Sequence, residues 1–189
     1  MSIEQLSIPG VWLLTPDKIS DERGFFARSW CRRELEEHGL NANILQTNIS
    51  RNARANTLRG MHFQRSPHAE VKFVRCTKGA IFDVAVDLRP ESETYLQWLG
   101  VELSEDNHRT LYIPEGFAHG FLTLKDDTEV YYQHTELYHP ESADGLRWDD
   151  PRFAIDWPEL PGERVLSEKD LGWSLIDDDP GQAGENTKQ

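Results

Sequence analysis

Arg59-Gly60-Met61-His62-Phe63-Gln64 and, further along, Pro114-Glu115-Gly116-Phe117-Ala118-His119-Gly120-Phe121 decide how this chain is read. The first stretch places a guanidinium and an imidazole in one short β-run. The second is a Pro/Gly turn that delivers another imidazole at the start of a strand. Together they predict a small β-barrel whose mouth holds a base and an anion clamp. That pairing suits proton chemistry on a phosphorylated or nucleotide-linked substrate.

Working outward, short apolar runs recur at residues 11–14, 25–30, 44–49, 58–63, 71–76, 80–88, 95–103, 109–113, 117–124 and 129–135. Turn signals such as Asp21-Glu22-Arg23-Gly24, Lys78-Gly79 and Arg89-Pro90-Glu91-Ser92 separate them. Many short strands with regular breakers indicate an all-β sandwich or barrel. Asp83-Val84-Ala85-Val86-Asp87-Leu88 alternates with period two, as a strand does. One helix is expected over residues 30–38, with Ser29 as N-cap and Gly39 past its end. Beyond Trp148 the chain reads as irregular. Residues 1–176 are expected to form a single domain, and the polar, acidic residues 177–189 read as a disordered tail.

Length and composition narrow the function. A chain of 189 residues fits one domain with a compact core, and six Trp, eight Phe and five Tyr supply bulky material to an apolar fraction of only 38%. The formal net charge of -13 argues against general nucleic-acid binding, because phosphate backbones select basic faces. Cys31 and Cys76 show neither metal-site nor disulfide spacing, and free thiols suit a reducing cytoplasm. The N-terminal residues do not read as a signal peptide, and no apolar run is long enough for a membrane span, so no membrane partner is expected.

Several side chains carry candidate chemistry. Arg59 and His62 differ in parity, so a regular strand would point them to opposite faces. Gly60 between them marks a candidate bulge that would bring both into one cavity; the alternative is an exposed Arg beside a hydrogen-bonded core His. Lys72 sits among Val71, Phe73 and Val74, and is either a lysine snorkelling to an edge or a cation aimed at an oxyanion. Tyr131 and Tyr132 share a strand, so one faces in and the other out. Asp170, in Ser167-Glu168-Lys169-Asp170, lies either in a solvated loop or folded back on an imidazole, where it would fix the tautomer.

The Pro114–His119 segment resembles the second signature of the cupin superfamily, P-x-G-x-x-H. Where metal-binding cupins offer H-x-H, this chain has His62-Phe63-Gln64, and Lys72 stands where a carboxylate would help a cation. The reading is therefore a cupin-like barrel with no bound metal and no cofactor, which leaves His62 free to act as a base.

Eight segments add up to a family. Asp21-Glu22-Arg23-Gly24-Phe25-Phe26, Gln46-Thr47-Asn48-Ile49-Ser50, Arg59 to Gln64, Asp83 to Arg89, Ile113 to Phe121, Tyr138-His139-Pro140, Trp148-Asp149-Asp150-Pro151 and Leu166-Ser167-Glu168-Lys169-Asp170 resemble, in order and spacing, the dTDP-4-dehydrorhamnose 3,5-epimerases. The resemblance implies a metal-free jelly-roll barrel, a homodimer that exchanges N-terminal strands, and a nucleotide-linked 4-keto-6-deoxyhexose as substrate. It implies His62 as catalytic base, Asp170 as the carboxylate that orients it, Tyr132 as the acid on the opposite sugar face, and Lys72 near the C4 oxygen. Arg59 and His119 match substrate contacts, Arg59 near the diphosphate. Arg23, Phe26, Gln46, Asn48 and Lys169 match further substrate positions, and Tyr138 an aromatic that stacks on the base. The C3 and C5 protons are acidic because the C4 ketone takes the charge as an enolate, so the chemistry needs neither metal nor redox cofactor.

The chain departs from that pattern at Arg28 and Ala143, where the family has acidic residues toward the nucleotide end. It also departs at Ala69-Glu70-Val71 and Ser92-Glu93-Thr94-Tyr95. The catalytic positions are intact and the recognition positions are altered. This leaves two alternatives: a single-carbon epimerase or ketoisomerase acting on a CDP- or GDP-linked sugar, and a non-catalytic cupin that binds a nucleotide sugar.

Overall fold

The computed structural model describes residues 1–176; the tail expected over 177–189 lies outside the described residues. Strands β1 (Ser2–Gln5), β2 (Trp12–Thr15), β3 (Ile19–Asp21) and β4 (Gly24–Phe26) come first, followed by the helix α1 (Arg32–Glu37). Next are β5 (Gln46–Asn52), β6 (Leu58–Gln64), β7 (Lys72–Lys78), β8 (Ala80–Asp87) and β9 (Trp98–Ser104). The last elements are β10 (Thr110–Ile113), β11 (Phe117–Thr123), β12 (Thr128–His134), β13 (Ala143–Gly145) and the single-turn helix α2 (Glu168–Leu171).

The strands form two antiparallel sheets, in the orders β1-β2-β10-β7-β12-β5 and β13-β6-β11-β8-β9, plus a separate β3-β4 hairpin. This is a jelly-roll barrel of the cupin type. Its central core lies between the sheets, where Leu13, Val74, Leu111, Ile113 and Val130 of the first meet Ile81, Ala85, Leu103 and Phe121 of the second. The chain beyond β13 folds back over the outer face of the second sheet, seating Phe153 and Trp157 against Leu58, Met61, Val84, Val86 and Leu122. Full burial of such a side chain is worth roughly 1.5–3 kcal/mol, which makes an irregular segment a stable cover. Leu35 of α1, with Leu40 and Ala42, covers Leu14, Phe73 and Tyr112 on the outer face of the first sheet.

Covering both faces explains β8. Its alternating pattern reads as half exposed, yet Asp83 and Asp87 are wholly buried. Asp87 is satisfied by Arg89, Ser92 and Thr94, whereas Asp83 is bonded through Oδ1 to His119 and its buried Oδ2 has no hydrogen-bond partner among the described residues.

Each of the ten runs read from the sequence holds a strand. Two local expectations are corrected. The run over 25–30 is strand only to Phe26, because among the described residues β4 pairs with nothing but the three residues of β3. The helix expected over 30–38 spans Arg32–Glu37, and its N-cap is Cys31, in extended conformation and without a side-chain cap, rather than Ser29. Trp30 is packed into the cluster beneath the helix and so belongs to the approach, not the first turn.

The register of β6 on β11 is the detail that builds the site. His62 pairs with His119 and Arg59 with Phe121, so Gly60 and Met61 together oppose Gly120. This one-residue bulge brings Arg59 and His62 to one side, as a glycine at that place predicts. Gly60 has φ +131°, and a Cβ there would stand 2.6 Å from the Gly120 Cα and 2.9 Å from the His119 carbonyl oxygen. Both neighbours are backbone and neither can yield. Gly60→Ala is expected to cost about 3 kcal/mol of stability, read as a lowered urea midpoint; an unchanged midpoint would refute the bulge's dependence on glycine.

Candidate active site

A cavity opens between the sheets in two contiguous lobes of about 270 and 330 Å³. Strands β6 and β11 supply His62 and His119 to one wall. Strands β7 and β12 supply Lys72, Tyr132 and His134 to the other, and β5 adds Asn48 and Ser50. The outer lobe adds Gln46, Glu70, Tyr138, Ala143, Lys169, Asp170 and Trp173.

His62 Nε2 lies 2.5 Å from Asp170 Oδ1. An ionised carboxylate accepts, so Nε2 carries the proton and Nδ1 is left as the lone-pair nitrogen. Asp170 is almost fully buried, in α2, whose N-cap Ser167 accepts from the Asp170 amide at 3.0 Å. Burial, the largest single influence, would raise the Asp170 carboxyl, but the bond to His62, the attraction of that ring, and the polar Ser167 and Trp173 side chains together outweigh it and hold the group below its usual range. The carboxylate is therefore ionised and holds the imidazole in place. The ring itself is 40% exposed, open to a substrate in the cavity.

His119, directly across the ladder from His62, is buried and bonded through Nε2 to Asp83 Oδ1 at 2.8 Å. Burial pushes Asp83 up and His119 down, so His119 sits in the cavity wall as a neutral imidazole.

Tyr132 faces this pair from the opposite sheet, its ring 6.2 Å from that of His119 at 77°. Burial, reinforced by the charge of Asp83, raises its phenol far above the ordinary value. It stays protonated at neutral pH and is an acid rather than a base. The period-two alternation of β12 brings His134 to the same side.

Lys72 does not snorkel to an edge. It is 7% exposed, its ammonium donates to the His62 carbonyl at 3.1 Å across the sheets, and it pairs with Glu70 at 3.2 Å. Arg59 stands exposed at the mouth, anchored by a 2.7 Å bond from Nε to Asn52 Oδ1. Lys169 lies over the Trp173 ring at 5.3 Å.

Most of the expected residues are thus gathered into one place: His62, Tyr132, Asp170, Lys72, Arg59, His119, Gln46, Asn48, Tyr138 and Lys169. Arg23 and Phe26 are not. Arg23 is paired with Asp21 on the protruding β3-β4 hairpin, and Phe26 is 74% exposed there. Arg28 is tied to Glu34 of α1, also outside the cavity, whereas Ala143 does line the outer lobe. Glu70, His134, Asp83 and Trp173 are cavity or supporting residues that sequence reasoning missed. The odd Glu70 was visible as a departure, but nothing in the linear chain links it to His134.

The inner donor set does not suit a metal ion. All three imidazoles, His62, His119 and His134, already serve carboxylates, and an ammonium stands beside them. At the surface, His68, Glu136 and His139 bring ligand atoms within 4.8 Å of one another. Their two rings stack at 3.5 Å and 9°, so the in-plane lone pairs do not converge on one point. Among the described residues, no helix is long and apolar enough to cross a membrane.

Residues 5–178 match the family model described as dTDP-4-dehydrorhamnose 3,5-epimerase. The Escherichia coli K12 protein of that name is 48% identical over 179 residues, covering 94% of this chain and 96% of the relative. A Bacillus anthracis dTDP-4-dehydrorhamnose 3,5-epimerase, solved with TDP and PPi bound, superposes with a TM-score of 0.88 at 42% identity, over 93% of this chain and 99% of the other. A Legionella pneumophila dTDP-6-deoxy-D-glucose-3,5-epimerase, in complex with dTDP-4-keto-L-rhamnose, gives a TM-score of 0.86 at 41% identity, with 92% of each chain covered.

Proposed function

This chain belongs to the dTDP-4-dehydrorhamnose 3,5-epimerase family, and from that premise we propose how its own residues carry out the reaction. The protein is an isomerase of nucleotide-linked sugars that epimerises C3 and C5 of a 4-keto-6-deoxyhexose through an enolate. The observation that carries the assignment of roles is the placing of His62 and Tyr132 on opposing sheets of one cavity.

His62 Nδ1 removes the proton next to the ketone. Asp170 keeps Nε2–H in place and stabilises the imidazolium that forms. The electron pair moves to the C4 oxygen, where the buried Lys72 ammonium supports the developing oxyanion. The Tyr132 phenol returns a proton to the opposite face of the same carbon, which inverts the centre. Arg59 and Lys169 line the outer lobe as cations for the diphosphate, and Tyr138 offers its ring to the base.

We take residues 1–176 as the catalytic domain and a reducing cytoplasm, congenial to Cys31 and Cys76, as its setting. A homodimer would complete the site. Strands β1 and β2 pair within their own chain, β1 on β2 and β2 on β10, so the element free to be exchanged is the β3-β4 hairpin. It bears Arg23 and exposes Ile19, Phe25 and Phe26. Strand β5, paired on one side with β12, is the edge of the first sheet and carries exposed Ile49 beside the cavity. A partner's hairpin laid on that edge would bring its Arg23 and Phe26 to the nucleotide end.

Turnover of dTDP-4-keto-6-deoxyglucose in deuterated water tests the reading. Deuterium is expected at both C3 and C5 of the product. Label at one carbon alone would make the enzyme a single-carbon epimerase, and no label would end the enzymatic account. A thermal-shift series with dTDP, UDP, CDP and GDP reads the nucleotide, and dTDP is expected to give the largest rise.

A further inference from the structure

Glu70 lies just ahead of β7, its side chain largely withdrawn from water, and accepts two hydrogen bonds from functional side chains. Lys72 Nζ approaches its Oε1 at 3.2 Å, and His134 Nδ1 its Oε2 at 2.8 Å. Burial, the largest single influence, would raise this carboxyl, but the hydrogen bonds and electrostatic attraction of His134 and Lys72 together outweigh it and hold it at about 2. The group is an anion at any working pH and can only accept.

A fixed acceptor at this point orients its neighbours in turn. His134 must present Nδ1–H to Glu70, and the Asn48 amino group, which can only donate, lies 3.3 Å from its Nε2 and makes that nitrogen the acceptor. With its amino group spent there, Asn48 turns Oδ1 toward Gln46, whose Nε2 donates at 3.3 Å. Gln46 is then left with Oε1, which accepts the Tyr138 backbone N–H at 3.1 Å. Five hydrogen bonds run from the lysine at the sugar end to the aromatic at the nucleotide end, and every donor points back toward Glu70.

We propose that Glu70 is a positioning residue that sets the polarity of this chain, Lys72–Glu70–His134–Asn48–Gln46–Tyr138, and so ties the geometry of the ammonium to that of the base-stacking loop. The inference rests on the proposed roles of Lys72 and Tyr138. It adds a coupling between the two ends of the substrate, carried by residues that do not themselves react.

Glu70→Gln makes the idea testable, because an amide of the same shape has one acceptor and one donor. If its oxygen serves His134, its amino group meets the Lys72 ammonium, donor against donor. If its oxygen serves Lys72, its amino group donates to His134 Nδ1, and the imidazole must carry its proton on Nε2. Asn48 and Gln46 must then both turn, and the Gln46 amino group meets the Tyr138 N–H. One end of the chain loses its bond in either arrangement, and the His134 tautomer reports which.

The experiment combines nitrogen-15 NMR of histidine-labelled enzyme with kcat and the dissociation constant for dTDP. In the unmodified enzyme His134 is expected as the Nδ1–H tautomer. In Glu70→Gln, a retained tautomer is expected with kcat down roughly tenfold and dTDP binding kept, and a reversed tautomer with dTDP affinity down roughly tenfold and kcat kept, one lost hydrogen bond of a charged or buried group in each case. An Nε2–H tautomer in the unmodified enzyme, both constants within twofold of it in the variant, or the opposite coupling of tautomer to constant would overturn the proposal. Should the variant not fold, the tautomer of the unmodified enzyme still decides. Lys72→Ala with undiminished kcat would instead sink the catalytic reading of Lys72 and leave the hydrogen-bond chain standing.

Discussion

His62→Ala is expected to lower kcat by roughly 10³-fold or more, the usual worth of a positioned general base, while dTDP still binds with near-normal affinity. Among the described residues, the imidazole is the one group lining the cavity that combines a free lone pair, access to solvent and a carboxylate holding its other nitrogen. Its neighbour His119 cannot easily substitute: it is buried, already bonded to Asp83, and disfavoured by burial from taking up a proton. The side chains proposed to hold the nucleotide, Arg59, Tyr138 and Lys169, lie in the outer lobe, so steady-state kinetics and dTDP titration should separate cleanly. A kcat within tenfold of the unmodified enzyme would remove His62 from the role of base.

Tyr132→Phe should separate the two half-reactions. Net epimerisation is expected to fall by about 10²-fold, the contribution of a general acid. Exchange of the substrate's C3 and C5 protons with deuterated water should persist near its normal rate. His62 can take a proton and return deuterium to the same face without help, which gives exchange with retained configuration. Inversion needs a donor on the other face, and Tyr132 is the protonated group that burial keeps there. A parallel fall in exchange and in inverted product would place the phenol in proton removal or in structure rather than in reprotonation.

The linear chain was most readable where local periodicity carries the information. Apolar alternation and Pro/Gly breakers located ten strands, because side chains in a strand must alternate between core and the other face. The Gly60 bulge was readable too, since glycine inside a strand implies a backbone placement that a side chain would forbid. Elements with no such pattern escaped. Strands β1, β3 and β13 are three or four residues long and exist through their partners. Helix α1 starts two residues later than its composition suggests, because Trp30 is drawn into the cluster beneath it.

The candidate site divides along the same line. Motif by motif, the sequence determined the chemistry available: an imidazole, a phenol, an ammonium and a guanidinium in segments whose order and spacing are those of the epimerase family. Only the tertiary structure decided that His62 and Tyr132 face each other from different sheets, that Asp170 is reached across 108 residues, that Glu70 joins Lys72 to His134, and that Arg23 and Phe26 stand away from their own chain's cavity. Strand identity depends on neighbours along the chain. Which carboxylate meets which cation depends on sheet order, register and burial, and those are properties of the packed barrel, where an unpaired buried charge is too costly to persist.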